Sequence, residues 1–486
     1  MSIAPTPSQR VTREDLFTFV SACFACTGQR EFYSDGRGQS VSIRFLHDYV
    51  LGNYRRLYAR ILACGINHYN QGEILFRLLA TGRDGRPEDR AEENALITRA
   101  LERLPTQRAM RLLTRLSKAR INNRRTRAIV QRWLARDGKP DERDFRAVKY
   151  RRAFRTGAIH VHLPFAGELE ALFLRGWKER RFKTPLFESF RGAHYAEAAI
   201  YELPYTIAEG LAKKHGVPRD VFLKRIEPRL TTLERLRLQE TTREVLGKSV
   251  AMDPARLSPT RLASFILSLP IAERRERRDE LARALEISAQ RAASRTNARF
   301  ERVACVLDRS WSTSGSFEKR SRPLAVALAT SAFLRASAAE ARMFWTLPID
   351  DEISIDARGQ TDLATPILEA LAWRPDLLVV VSDGFENDPP DVAGDLLVAA
   401  RRCGHAPSVL HINPVYDDLS FMPKPLAPNA QAIVPTIGVR DAEDIPTAIA
   451  FSTFASGSSS LADLERVLAA RVAAFLATNE REEEAA

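Results

Sequence analysis

Residues 302–312 read RVACVLDRSWS, and this stretch decides the fold of the C-terminal part of the chain. The apolar run at 303–307 has no polar alternation, so it predicts a strand buried on both faces, with Asp308 at its C-terminal tip. Working outward, RPLAVALATSAFLRAS (322–337) predicts a helix, ARMFWTL (341–347) a strand and TDLATPILEALA (361–372) a helix. DLLVVVSDG (376–384) is the clearest buried strand in the chain. It is followed by helical DVAGDLLVAARRCG (391–404), strands in PSVLHINP (407–414) and QAIVPTIGV (431–439), and helical LADLERVLAARVAAFLA (461–477). Strands alternating with helices predict a parallel, doubly wound sheet covered on both faces. Ligands of such sheets bind beyond the carboxyl ends of the strands, where the strand order reverses.

Three predicted loops meet at that edge. The first carries Asp308, Ser310 and Ser312 as D-x-S-x-S, the second Gly359 and Thr361, and the third Ser382, Asp383 and Gly384. Two carboxylates with Ser and Thr hydroxyls form an all-oxygen set suited to Mg²⁺, or Mn²⁺, with positions left for water or an outside carboxylate. Asp, Ser and Thr also favour turns and helix caps, which is the plain alternative for each motif alone. The combined order, D-x-S-x-S, then G-x-T, then S-D-G, resembles the metal-ion-dependent adhesion site of von Willebrand factor A domains. That resemblance implies a metal held by Asp308, Ser310, Ser312, Thr361 and Asp383, with an acidic protein ligand as its outside partner. No Ser–His pair or spaced acid–base carboxylates accompany the motifs, so no enzyme activity is expected.

Before residue 298 the texture is helical. VTREDLFTFVSACF (11–24) places Leu16, Phe17, Val20 and Phe24 on one stripe behind a Thr12 cap. VSIRFLHDYVLGNYRRLYARILACGI (41–66), EENALITRALERLP (92–105), QRAMRLLTRLSKA (107–119) and RRTRAIVQRWLAR (124–136) continue the pattern. Such segments with short connections suggest HEAT-like helix pairs, although no strict sequence period is visible. The expected organisation is therefore α plus α/β: an α-helical HEAT-like repeat domain over 10–297 and a doubly wound domain over 298–480. Cys23 and Cys26 form a CxxC without further ligands, which reads as core filling rather than zinc or redox chemistry.

Charge separates the two parts. The chain has 73 Lys and Arg against 61 Asp and Glu, and residues 301–486 hold only 16 basic but 27 acidic ones. The first 300 residues therefore hold 57 basic and 34 acidic residues, a composition suited to a polyanion. Basic residues cluster in 107–133, including Lys118, Arg120, Arg124 and Arg125, and in KYRRAFRTGAIHVHLP (149–164), including Lys149, Arg151, Arg152, His160 and His162. Interleaved Tyr and Phe add stacking groups for single-stranded nucleic acid. The start, MSIAPTPSQRVTRED, has no apolar core and no run suits a membrane span, so a soluble, cytoplasmic protein is expected.

A basic helical region before this kind of α/β domain resembles the Ro autoantigen (TROVE domain) family. The supporting stretches are KHGVPRDVFLKRIEPRLTTLERLRLQETTREVLG (214–247), KYRRAFRTGAIHVHLP and 359–366. The resemblance implies a ring of helical repeats, a monomer, and binding of small structured non-coding RNA of the Y type or of misfolded RNA ends in RNA quality control. It nominates Lys149, Arg151, Arg152, His160 and His162 for RNA contact. The competing expectation is a metal-dependent protein adaptor working with a chaperone-like ATPase, without RNA.

Overall fold

The computed structural model describes residues 7–29, 36–82, 84–135, 142–296, 299–417, 419, 422–430, 433–439, 441–455 and 460–477. The chain opens with helices α1 (Pro7–Ala25), α2 (Gly36–Arg60) and α3 (His68–Ala80). The basic stretch continues as α4 (Arg90–Arg103), α5 (Thr106–Lys118), α6 (Arg124–Ala135), α7 (Glu142–Lys149) and α8 (Arg151–His160). Next come α9 (Gly167–Phe173), α10 (Pro185–Gly192), α11 (Tyr205–Lys214), α12 (Arg219–Ile226) and α13 (Thr232–Leu246). Helices α14 (Pro259–Ser268), α15 (Ile271–Glu276) and α16 (Arg278–Thr296) complete the all-helical part.

Local chemistry accounts for these helices. In α5 the residues Ala109, Met110, Leu112, Leu113 and Leu116 are buried while Arg108, Arg111 and Lys118 face solvent, the 3.6-residue pattern expected of an amphipathic helix. Thr231 and Glu234 form a reciprocal capping box at the start of α13, which stops at Gly247 in the left-handed region (φ +70°). Helix α1 starts at Pro7, so Thr12 lies inside it rather than capping it.

From residue 300 the texture changes to β1 (Phe300–Leu307), α17 (Arg322–Ser337), β2 (Ala338–Trp345), α18 (Ala364–Ala372), β3 (Leu377–Val381) and α19 (Val392–Arg402). Then follow β4 (Ser408–Asn413), β5 (Thr436–Gly438), α20 (Ile445–Ala455) and α21 (Leu461–Ala477). Every strand pair is parallel and the order is β2-β1-β3-β4-β5. The doubly wound α/β expectation is met here, with β5 shorter than QAIVPTIGV predicts; residues 431–432 lie outside the described residues. On one face, Ala304, Val306, Leu378 and Val380 pack with Ile367, Ala370 and Leu371 of α18 and Ala393 and Leu397 of α19. The other face receives α17, which is buried along nearly its whole length. None of the described helices is long and apolar enough to cross a membrane.

The chain groups into two compact units, Met1–Ile74 with Pro254–Ala486, and Leu75–Asp253. This grouping differs from a cut at 297/298, a point that itself lies outside the described residues. The reason is that helices from both ends of the all-helical part pack on the α/β part, α1 on β5 and α14 and α16 on α17. A Cβ on Gly438 of β5 would meet the Ser21 carbonyl oxygen of α1 at 2.3 Å and Ala25 Cβ at 2.9 Å. Ser42 and Tyr416 share a buried hydroxyl hydrogen bond of 2.8 Å, Ala442 N donates to Thr260 Oγ1 at 3.0 Å, and Arg274 Nη1 donates to the Ile355 carbonyl at 2.6 Å.

Candidate functional site

The strand order reverses between β1 and β3, and the two carboxylates stand just past the ends of those two strands: Asp308 one residue after β1, Asp383 two after β3. Asp308 N donates to the Val381 carbonyl at 3.0 Å, extending the β1–β3 ladder to the site. Both side chains are about 1% exposed. Ser310 N donates to Asp308 Oδ1 at 2.8 Å, and the Ser310 and Ser312 hydroxyls lie 3.2 Å apart. Phe385 N donates to Asp383 Oδ1 at 3.0 Å. Asp308, Ser310 and Ser312 thus form one connected set, with Asp383 near enough for its charge to act on Asp308.

Thr361 is buried and is held through its backbone groups. Its N–H donates to Asn387 Oδ1 at 2.8 Å, and its carbonyl accepts from Asn387 N at 3.3 Å. Trp311 N donates to the Gly359 carbonyl at 3.0 Å, fastening the first loop to the second. Gly384, at φ +77°, turns the third loop where a Cβ would come within 2.5 Å of the Lys424 carbonyl oxygen. Asn413 Nδ2 bridges the Asp383 and Lys424 carbonyls, at 2.9 and 3.0 Å. Asn387 and Asn413 are supporting residues that motif reading missed, because neither belongs to a local pattern around the three loops.

Two atoms define the electrostatics. Asp308 Oδ2 and Asp383 Oδ2 are buried and accept no hydrogen bond from the described residues. Burial, and then the nearby Asp383 charge, push the Asp308 carboxyl up to about 7. Burial also raises Asp383, against the lowering effect of the Ser312 hydroxyl. Two neighbouring buried carboxylates, each with one oxygen lacking a donor, suit a hard cation in their chemistry. Among the described residues no cluster of three or more His, Cys, Asp or Glu side chains is placed to hold a metal, so any ion here would depend on two carboxylates supplemented by hydroxyls. Beside the motif, Trp311 is 65% and Phe317 90% exposed, whereas Arg309 turns inward and ties the Pro348 and Asp356 carbonyls.

The second constellation lies in Leu75–Asp253, which holds 39 Lys and Arg against 23 Asp and Glu; the rest of the chain holds 34 against 38. Lys118, Arg120, Arg124 and Arg152 are exposed, and Arg120 sits in the left-handed region (φ +56°) of the α5–α6 turn. Arg125 is turned to Glu93, at 2.6 Å. Arg151 Nε donates to the Leu172 carbonyl at 2.8 Å, and its guanidinium lies 4.9 Å from the Trp177 ring centre. Lys149 is half-buried near Phe145 and Tyr150, and burial lowers its pKa. His160, at the end of α8, donates from Nε2 to the Ile121 carbonyl at 2.9 Å; exposed His162 lies 3.2 Å from Asn122 Nδ2. The structure therefore gathers Arg120, His160 and His162 around the 119–123 turn, and holds Arg125 and Arg151 in protein contacts.

Fold and site together define a protein with a parallel α/β domain bearing a paired-carboxylate centre, plus a separate basic helical unit. No family model and no curated protein matches the chain. Among solved structures it is similar to the crystal structure of the Deinococcus radiodurans Ro (RSR) protein, at 14% identity and a TM-score of 0.37, over 92% of this chain and 100% of that one. At that score the likeness transfers neither domain arrangement nor function.

Proposed function

We propose that this chain is a non-catalytic RNA-binding protein of Ro type, whose basic helical unit contacts small structured or misfolded RNA. The supporting observation is the charge imbalance of Leu75–Asp253, 39 basic to 23 acidic residues, with Lys118, Arg120, Arg124 and Arg152 exposed on it. Clustered exposed cations attract phosphate and make affinity salt-dependent. The sheet domain is read as a von Willebrand A-type domain. In it, Asp308 and Asp383 would hold Mg²⁺ or Mn²⁺ with help from Ser310, Ser312 and Thr361, and the ion would supply an electrophilic point for an acidic side chain of a protein partner. Exposed Trp311 and Phe317 beside that centre favour a protein surface there. They also sustain the second reading, an adaptor that binds only protein.

The test is purification of the full chain at moderate salt, followed by absorbance ratio and RNase and DNase digestion. The expected result is RNase-sensitive material that the triple variant Arg120→Glu, Arg124→Glu, Arg152→Glu loses. A clean wild-type preparation that also fails to shift hairpin RNA at low salt overturns the RNA reading and leaves the adaptor.

A further inference from the structure

Helices α5 and α8 approach closely at one level and leave a cleft at another. A Cβ on Gly157 of α8 would lie 3.0 Å from Leu113 Cδ2 of α5, so the two helices pack tightly there. Ala153 and Tyr150 precede Gly157 by four and seven residues, which places all three on one stripe. Around Ala153 and Tyr150 a cleft of about 540 Å³ opens, walled by Met110, Thr114 and the cations Arg111, Arg115 and Lys118. That volume falls within the range of about 300–1,000 Å³ typical of small-ligand sites. Arg115 is held in place over the Phe76 ring, 3.7 Å from its centre. Arg111 and Lys118 are exposed, and neither has an acidic partner among the described residues.

We infer that this cleft takes one unpaired nucleobase, stacked against Tyr150, with its flanking phosphates on Arg111, Arg115 and Lys118. The inference deepens the nucleic-acid reading and rests on it: it assigns the basic unit a site for single-stranded rather than paired segments. The chemistry of the walls selects this occupant. Met110 and Ala153 offer apolar surface, Tyr150 an aromatic ring, and three cations spaced along one face of α5 match a phosphate backbone. A bare anion would have no use for the ring and apolar wall, and an apolar peptide none for the three cations. Burial raises the Tyr150 pKa, which keeps the ring a neutral phenol at neutral pH.

The experiment measures anisotropy of fluorescein-labelled uridine 12-mer, an abasic 12-mer of the same backbone and a hairpin RNA with the full chain. Tyr150→Ala should weaken the uridine oligomer by about 5- to 100-fold, the span expected for loss of one base–aromatic stack. Tyr150→Phe should keep wild-type affinity, and the abasic oligomer should bind wild type and Tyr150→Ala alike. Lys118→Glu, a change at an exposed position, should weaken both oligomers together, which covers the case of a Tyr150→Ala protein whose melting curve shows it unfolded. If wild type binds the hairpin but all variants bind both oligomers as wild type does, the cleft is not the base site and the RNA reading stands. If wild type binds none of the three, both are overturned.

Discussion

Asp308 is held by its own loop at one oxygen and left bare at the other, and this asymmetry has a measurable consequence. Its folded pKa of about 7 lies above the ordinary carboxylate value of about 4. Between those values the folded protein keeps a proton that the unfolded chain releases, so metal-free stability falls as pH rises through the window and is fully reduced above it. Calorimetry in EDTA should therefore show Asp308→Asn gaining on wild type as pH rises from 4 to 8, while Mg²⁺ at pH 8 raises the melting temperature of wild type and not of the variant. Equal Mg²⁺ effects on both proteins would exclude Asp308 as a ligand. His411 acts in the opposite direction. It is buried, bonded to the Thr436 hydroxyl and the Ser382 carbonyl, and burial holds its pKa down at about 3. Stability is therefore lost as pH falls below about 6.5, because the unfolded chain takes up a proton the folded one refuses. His411→Asn should flatten the acid limb of the stability curve.

At the scale of elements, the contact between α1 and β5 holds distant parts of the chain together. Gly438→Ala would place a methyl group against the Ser21 carbonyl, a backbone atom that can yield only if α1 moves. The expected cost is about 1–3 kcal/mol, read as a lower melting temperature with amide exchange of α1 accelerated before that of β1 and β3. Unchanged protection in α1 would mean the helix shifts without loss. This contact was not legible in the sequence, whereas the strands were. Residues 303–307 and 377–381 announce themselves by uninterrupted apolar runs, and α17 and α21 fall where the periodicity places them. Periodicity reports which residues a segment buries, not which partner buries them. The same limit applies to the sites. That Asp308 and Asp383 stand just past strand ends was readable, because each follows an uninterrupted apolar run. That Arg125 meets Glu93 and Arg151 meets Leu172 was not, since each partner lies more than twenty residues away.

For the whole molecule, charge separates the two units: a balance of +16 in Leu75–Asp253 and −4 in the remainder. Hairpin RNA affinity should accordingly fall by roughly 10³ to 10⁵ between 50 and 200 mM salt if six to ten phosphates are neutralised. Asp308→Asn should leave that affinity unchanged, since the paired carboxylates and the basic residues lie in different units. The most direct test is the salt slope of hairpin RNA affinity, measured for wild type and for Arg120→Glu, Arg124→Glu, Arg152→Glu. The expected result is a steep wild-type slope that the triple variant reduces by about 2 to 3, close to one lost phosphate contact per arginine. A variant slope equal to that of wild type would contradict it.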